Sequence, residues 1–99
     1  MITSKERAEL KKIISNSPSV YQVGKDGLTQ ACLEGIKECL LARELIKINI
    51  LQNCDESAKE LARKIAEEVD CEIVGVIGRK VTLYKLNPKK DSHVLSTKI

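Results

Sequence analysis

Two kinds of hydrophobic periodicity alternate along this chain, and their order is the feature that most limits its fold. Three segments repeat apolar residues with the spacing of a helix, and four shorter segments have the composition or the period of two that is typical of strands. The predicted helices and strands follow the order α-β-α-β-α-β-β. The helices are residues 4–15, 28–42 and 58–69, and the strands are residues 20–23, 44–50, 72–77 and 81–86.

The connections between these segments predict how the strands pair. A helix joins the first strand to the second, and a helical crossover allows parallel pairing. The last two strands are separated by Gly78-Arg79, and glycine at the first position of a two-residue loop suits a type II′ turn, since that position needs a positive φ. The expected fold class is α/β (α+β), with a mixed four-stranded sheet and helices packed on it.

The first helix has a recognisable start signal and two different faces. Thr3 and Glu6 have the spacing of a capping box, in which each side chain satisfies a backbone amide at the helix end. Leu10, Ile13 and Ile14 share one face of the helix, which we expect to pack on the sheet. The other side is basic and carries Lys5, Arg7, Lys11 and Lys12.

Length and hydropathy exclude several classes of protein. A chain of 99 residues forms one domain, which we assign to residues 1–87, with residues 88–99 as a flexible tail that contains His93. Its apolar runs fall well short of the ~20 residues that span a bilayer. The N-terminal residues lack the apolar segment of a secretory signal. We therefore expect a cytoplasmic monomer that contacts no membrane.

The cysteine spacing argues against a metal site or a disulfide scaffold. The four cysteines stand 7, 15 and 17 residues apart without a C-x-x-C pair, at Cys32, Cys39, Cys54 and Cys71. We interpret them as reduced structural thiols, which behave as small apolar side chains. The sequence accordingly predicts no bound metal and no other cofactor.

Charge is segregated along the chain. Residues 1–20 carry four basic and two acidic groups, residues 55–70 carry three and six, and residues 71–90 carry five and one. The basic segments are expected to form one positive surface, with the acidic helix facing away from a polyanion. Because Tyr21 and Tyr84 are the only aromatic residues, a nucleic-acid ligand would be held mainly through its phosphates and its shape.

The first strand-to-helix connection has the pattern Gly-x-x-Gly, formed by Gly24, Lys25, Asp26 and Gly27. Two glycines let a ligand approach the backbone closely, and the amides at the start of the following helix carry partial positive charge. A phosphate is the natural ligand for such a site. Glycine turns also occur for chain geometry alone, and the Asp26 carboxylate would repel a phosphate unless it points outward.

Three blocks of the sequence resemble the signature blocks of one known family. They are VGKDGLT at residues 23–29, ARELIKI at residues 42–48 and VIGRKVTLYK at residues 76–85. In order and separation they resemble the CRM family, the chloroplast splicing and ribosome maturation domain, whose free-standing form is the YhbY-type protein. The resemblance extends over about residues 2–87.

The resemblance implies a fold, a partner and a set of site residues. Members of this family are similar in fold to the C-terminal domain of translation initiation factor three and bind RNA, and single-domain bacterial members are associated with precursors of the large ribosomal subunit. No catalytic residue is implied. Together with the basic surface, the resemblance implies RNA contacts at Gly24, Lys25, Asp26, Gly27, Leu28, Thr29, Lys5, Arg7, Lys11, Lys12, Lys47, Arg79 and Lys80.

Two other classes of function compete with RNA binding. A small enzyme has no support, because the predicted domain contains no histidine and its carboxylates concentrate on one solvated helix. A protein-interaction adaptor that uses the sheet face or the tail is compatible with the net charge of +3. The sequence as a whole favours a protein that binds structured, ribosomal RNA and acts in assembly of the large subunit.

Overall fold

The computed structural model describes residues 2–54 and 56–89, and these residues form three helices and four strands in the predicted order. The helices are α1 (Ser4–Ile14), α2 (Gln30–Arg43) and α3 (Ala58–Val69). The strands are β1 (Tyr21–Val23), β2 (Leu45–Ile50), β3 (Glu72–Ile77) and β4 (Lys80–Tyr84). The fold class predicted from the sequence is confirmed.

Side chains immediately before two helices fix where those helices begin. Thr3 Oγ1 accepts a hydrogen bond from the Glu6 amide at 3.1 Å, and the Glu6 carboxylate accepts one from the Thr3 amide at 2.9 Å. This is the predicted capping box of α1. Thr29 caps α2 by accepting a bond from the Cys32 amide, so the predicted start of α2 at residue 28 is wrong by two residues.

The sheet has the strand order β1-β2-β4-β3. β1 pairs parallel with β2, while β4 pairs antiparallel with both β2 and β3. The hairpin turn has Gly78 at φ +59°, and Arg79 is outside the positive-φ region, as a type II′ turn requires. Both the parallel crossover and the hairpin were predicted from the sequence.

Helices cover both faces of this sheet. On the inner face, α2 and α3 bury one side of β2, where Ile46, Ile48 and Ile50 are almost fully enclosed. On the outer face, α1 packs Leu10 and Ile14 against one residue from each of three strands, Leu45, Val74 and Tyr84. Ile13 was expected to pack with them, but it is 46% exposed, because α1 covers only part of the outer face.

A buried carboxylate ties the end of α2 to the end of the sheet. Glu44 follows α2 at φ 64° and is fully buried. Its carboxylate accepts a hydrogen bond from the Asn87 amide, and its carbonyl accepts one from the Lys85 amide, each at 2.8 Å. β4 ends at Tyr84, so the prediction that the last strand continues to residue 86 is wrong.

Within the described residues, no helix combines the length and the apolar content needed to cross a membrane. The predicted flexible tail falls largely on residues 90–99, including His93, which lie outside the described residues.

Replacing Leu83 by alanine is expected to lower the free energy of unfolding by about 2–5 kcal/mol, because its side chain is fully enclosed between the sheet and the helices. Leu41→Ala is the matched control, since Leu41 is 48% exposed and its truncation leaves no cavity. Urea unfolding measures both variants. Equal losses of stability would contradict the assignment of the main core.

Candidate nucleic-acid interface

Three chain connections meet at one end of the sheet. Because β1 and β2 are parallel, the connections that follow Val23 and Ile50 leave the sheet at the same edge. The turn before β4 lies there too, since Asn49 near the end of β2 pairs with Lys80 at the start of β4. A Cβ on Gly24 would lie 3.6 Å from Leu51, so the first two connections are in contact.

The Gly-x-x-Gly loop is a tight turn with an exposed tip. The Gly27 amide donates a hydrogen bond to the Gly24 carbonyl at 3.0 Å, which closes the turn. Gly27 has φ +68°, a conformation that L side chains rarely adopt. Lys25 and Asp26 form the tip and are both exposed. No neighbouring side chain among the described residues therefore covers the part of the loop that a ligand would approach.

The backbone amides of this corner divide into two groups. Those of Gly27 and Cys32 are occupied, the first by the turn and the second by the Thr29 hydroxyl. The amides of Lys25, Asp26 and Leu28 donate to none of residues 2–54 and 56–89. The loop therefore has three available amide donors, and the Gly27 amide is not one of them because the turn uses it. Thr29 serves as the helix cap, and the Leu28 side chain packs against the core.

A shallow cleft of about 230 Å³ lies between the loop and the first turn of α2, and we call it the loop groove. Its walls include Tyr21, Gln22, the Gly-x-x-Gly loop and Ala31. Tyr21 has a raised pKa, chiefly because burial disfavours its charged form. The sequence pattern identified the loop but not Tyr21 or Gln22. Both residues belong to β1, the short strand before the loop, and both line this cleft.

Arg79 holds the connection after β2 in place. Its Nε donates to the Ile50 carbonyl at 2.9 Å, and one terminal nitrogen donates to the carbonyls of Leu51 and Cys54 at 2.6 and 3.2 Å. Three of its five N–H donors are therefore committed to the protein. The RNA contact predicted for Arg79 stays a prediction, and its guanidinium has a clear structural role in shaping the end of the sheet.

An acidic side chain lies closer to the loop than the charge pattern predicted. The Glu56 carboxylate is 3.8 Å from the position that a Cβ on Gly27 would occupy. It forms an ion pair with Lys64 of α3, which offsets its charge. The expectation that the acidic segment faces away from a polyanion stays a prediction, and Glu56 is the acidic residue of that segment that lies beside the loop.

A second groove, of about 260 Å³, lies on the outer face of the sheet beside the C-terminal half of α1. We call it the lysine groove, and its walls include Lys11, Ile14, Lys47, Gly75, Ile77 and Lys80. The structure thus brings together three of the predicted basic residues, one each from α1, β2 and β4. Charge counting along the chain identified these lysines, but not that they share a groove.

The other basic residues of α1 do not join this groove. α1 runs from the end of the sheet near Tyr84, where Ile2 packs, toward the end that carries Lys80. At a rise of 1.5 Å per residue, Lys5 lies about 9 Å from Lys11 along the helix axis, on the side away from this groove. Lys12 is exposed outside the groove, and Arg7 is half-buried near the start of the helix.

The cysteines are free thiols with structural surroundings. Cys32 and Cys54 are buried, and burial raises the pKa of the Cys71 thiol from 9.0 to about 11. A thiol with so high a pKa is a poor nucleophile near neutral pH, because the reactive thiolate is scarce. Among the described residues, no group of three or more His, Cys, Asp or Glu side chains is placed to hold a metal ion.

Comparisons with known proteins agree on one family. The family model described as the CRS1 / YhbY (CRM) domain matches residues 2–85. From Bacillus subtilis (strain 168), "Probable RNA-binding protein YqeI" is 35% identical over 85 residues, which cover 86% of this chain and 88% of that protein. From Methanocaldococcus jannaschii, "Probable RNA-binding protein MJ0652" is 29% identical over 86 residues, which cover 85% of this chain and 63% of that protein.

A solved structure has the same fold. The solution structure of the hypothetical protein SAV1595 from Staphylococcus aureus superposes with a TM-score of 0.79 at 34% sequence identity. The match covers 93% of this chain and 95% of that one. The arrangement of three helices on a mixed sheet is therefore shared with an experimentally determined structure.

Arg79→Lys is expected to lower the free energy of unfolding by about 1–3 kcal/mol, because an ammonium cannot reproduce the fork that bonds three carbonyls. Arg63→Lys is the control, since Arg63 is exposed and pairs with Glu60 on the same helix. Urea unfolding gives both values. If the two variants lose the same stability, the hydrogen bonds of Arg79 do not stabilise this end of the sheet.

Proposed function

This chain belongs to the CRS1/YhbY (CRM) domain family, and from that membership we propose that it binds structured ribosomal RNA during assembly of the large ribosomal subunit. Two relatives that match most of this chain are named as RNA-binding proteins. RNA is therefore the partner class that the comparisons support.

The observation that carries the proposal is the open Gly-x-x-Gly loop beside the start of α2. Its exposed tip presents the amides of Lys25, Asp26 and Leu28, which donate to no described residue. A phosphate oxygen accepts hydrogen bonds from amides in such a turn, and the helix N-terminus adds partial positive charge. The Lys25 ammonium adds a full charge at the same place.

Recognition of this kind depends on the RNA backbone and its shape. Amides and lysines bind phosphates, and phosphate contacts fix the register and orientation of a complex without distinguishing one base from another. The Asp26 and Glu56 carboxylates limit how a phosphate approaches the loop. Asp26 is exposed and can stay hydrated, and Glu56 is paired with Lys64. We therefore place the phosphate on the amide side of the tip, beside Lys25.

Sedimentation of cell extract through a sucrose gradient tests the ribosomal target. We expect the protein to travel with particles that contain large-subunit RNA and are lighter than the mature subunit. Ribonuclease treatment should then move it to the top of the gradient, because the proposed contact is to RNA. Migration only as free protein, or only with mature subunits, would contradict the role in assembly.

Gly24→Asp tests the loop in a binding assay with structured RNA. Gly24 lies outside the positive-φ region, and its Cβ position is in ordinary contact with Leu51, so the variant is expected to fold. The new carboxylate should reduce affinity about tenfold at low salt, because it adds a negative charge to the loop that would bind the phosphate. For the unmodified protein, log K should fall with log salt with a slope of about 3–5, as for a handful of phosphate contacts.

Lys59→Gln is the matched control for this variant, since it changes the net charge by the same amount on the exposed side of α3. Its affinity should stay within about twofold of the unmodified protein. Circular dichroism checks that both variants fold. If the two variants lose affinity equally, the loop has no special role, and binding that does not depend on salt would contradict phosphate recognition altogether.

A further inference from the structure

We propose that the lysine groove holds an unpaired RNA strand that continues from the loop groove across the outer face of the sheet. This inference rests on the proposed function and adds a path and a strand type to it. The groove is the place where basic side chains from three separate elements converge on a surface that the helices leave open.

The charge of the groove fits a polyanion. Lys11, Lys47 and Lys80 line it, and no carboxylate is among its described lining residues. By contrast, the cleft between α2 and α3 sets Lys37 beside Glu34 and Glu68. Unscreened lysines attract phosphates from a distance and release counterions when they bind them. The lysine groove therefore suits an anionic partner better than the cleft between α2 and α3 does.

Gly75 in β3 leaves space for the Lys11 side chain. A Cβ on Gly75 would lie 3.0 Å from Lys11 Cε and 3.7 Å from its Nζ. Because Gly75 has no side chain, the Lys11 stem can lie directly over the strand and hold its ammonium at the groove. Lys11 is therefore positioned by packing, unlike a lysine whose stem extends into solvent.

The floor of the groove is apolar, which distinguishes an unpaired strand from a duplex. Ile14 and Ile77 line it, and Ile77 is 79% exposed. A duplex presents phosphates on its outside and keeps its bases stacked inside, so it would leave this apolar surface uncovered. An unpaired nucleotide can place its base or ribose on the isoleucines and its phosphate on the lysines.

The size of the groove agrees with this ligand. Its volume of about 260 Å³ is slightly below the range of about 300–1,000 Å³ that is typical of pockets for drug-sized molecules. It has room for part of one nucleotide at a time.

A row of polar side chains joins the two grooves. Gln22 lines the loop groove and pairs with Asn49, which in turn pairs with Lys80 of the lysine groove. Neighbouring strands are about 4.8 Å apart, so the row spans about 10 Å. All three residues lie on the outer face, because their neighbours Val23, Ile50 and Val81 point into the main core. An RNA strand bound at the loop can therefore follow this row into the lysine groove.

The test compares two double variants of the full chain that remove equal charge. Lys47→Gln/Lys80→Gln alters the lysine groove, and Lys37→Gln/Lys59→Gln alters exposed positions on α2 and α3. Each protein is titrated with a short oligouridylate and with a blunt-ended RNA duplex over a range of salt. For the groove variant, the salt slope with oligouridylate should fall by about 1.4, or 0.7 for each phosphate of the single strand that the variant no longer neutralises. The control slope should not change.

A third variant tests the apolar floor. Ile77→Ser removes apolar surface without changing charge, so it should weaken oligouridylate binding while leaving the salt slope unchanged. In both groove variants, binding of the RNA duplex should lose less affinity than binding of oligouridylate. Circular dichroism and urea unfolding check that each variant folds.

The outcomes separate this inference from the proposed function. If the unmodified protein binds neither RNA, the proposed function itself fails. If it binds both RNAs and Gly24→Asp weakens binding, but the groove variants match the control, the role of the loop is supported. The proposed path of the strand through the lysine groove is then wrong. Equal losses of affinity for the RNA duplex and for oligouridylate would overturn the preference for an unpaired strand. Unchanged RNA binding together with self-association that Ile77→Ser abolishes would assign the groove to a protein partner.

Discussion

The position of β2 between β1 and β4 determines where the main core and the candidate site lie. Its parallel pairing with β1 and its antiparallel pairing with β4 bring three distant connections to one end of the sheet. The same strand has isoleucines on its inner face and polar residues on its outer face beyond the part that α1 covers. The main core therefore lies on one face of β2, and Lys47 of the candidate site lies on the other.

The order of elements was predictable because local signals in the sequence agreed with the final packing. The capping box before α1, the alternation along β2 and the glycine of the hairpin turn each act over a few residues. The errors have both local and distant causes, since the Thr29 cap sets the start of α2, whereas a distant residue bonds the chain that follows β4. The end of β4 depends on the buried Glu44, which binds the Asn87 amide from 43 residues away, and no local pattern reveals that contact.

The candidate site was predictable in its parts but not in its arrangement. The Gly-x-x-Gly pattern and the excess of lysines are visible in the sequence, and both lie on the surface of the fold. The sequence could not show which charged side chains contact distant parts of the same chain. Arg79 bonds three carbonyls of a connection at least 25 residues earlier in the chain, and Glu56 lies beside Gly27 although it is 29 positions away.

The two glycines of the loop are under different kinds of constraint. Gly27 has a left-handed backbone, so the fold itself resists other residues there. Gly24 has an ordinary backbone and enough space for a methyl group, so the fold tolerates its replacement. If a descendant lost its ligand, substitutions at position 24 would accumulate, because only binding limits them there. Substitutions at position 27 would still be rare in that descendant, because folding continues to require glycine.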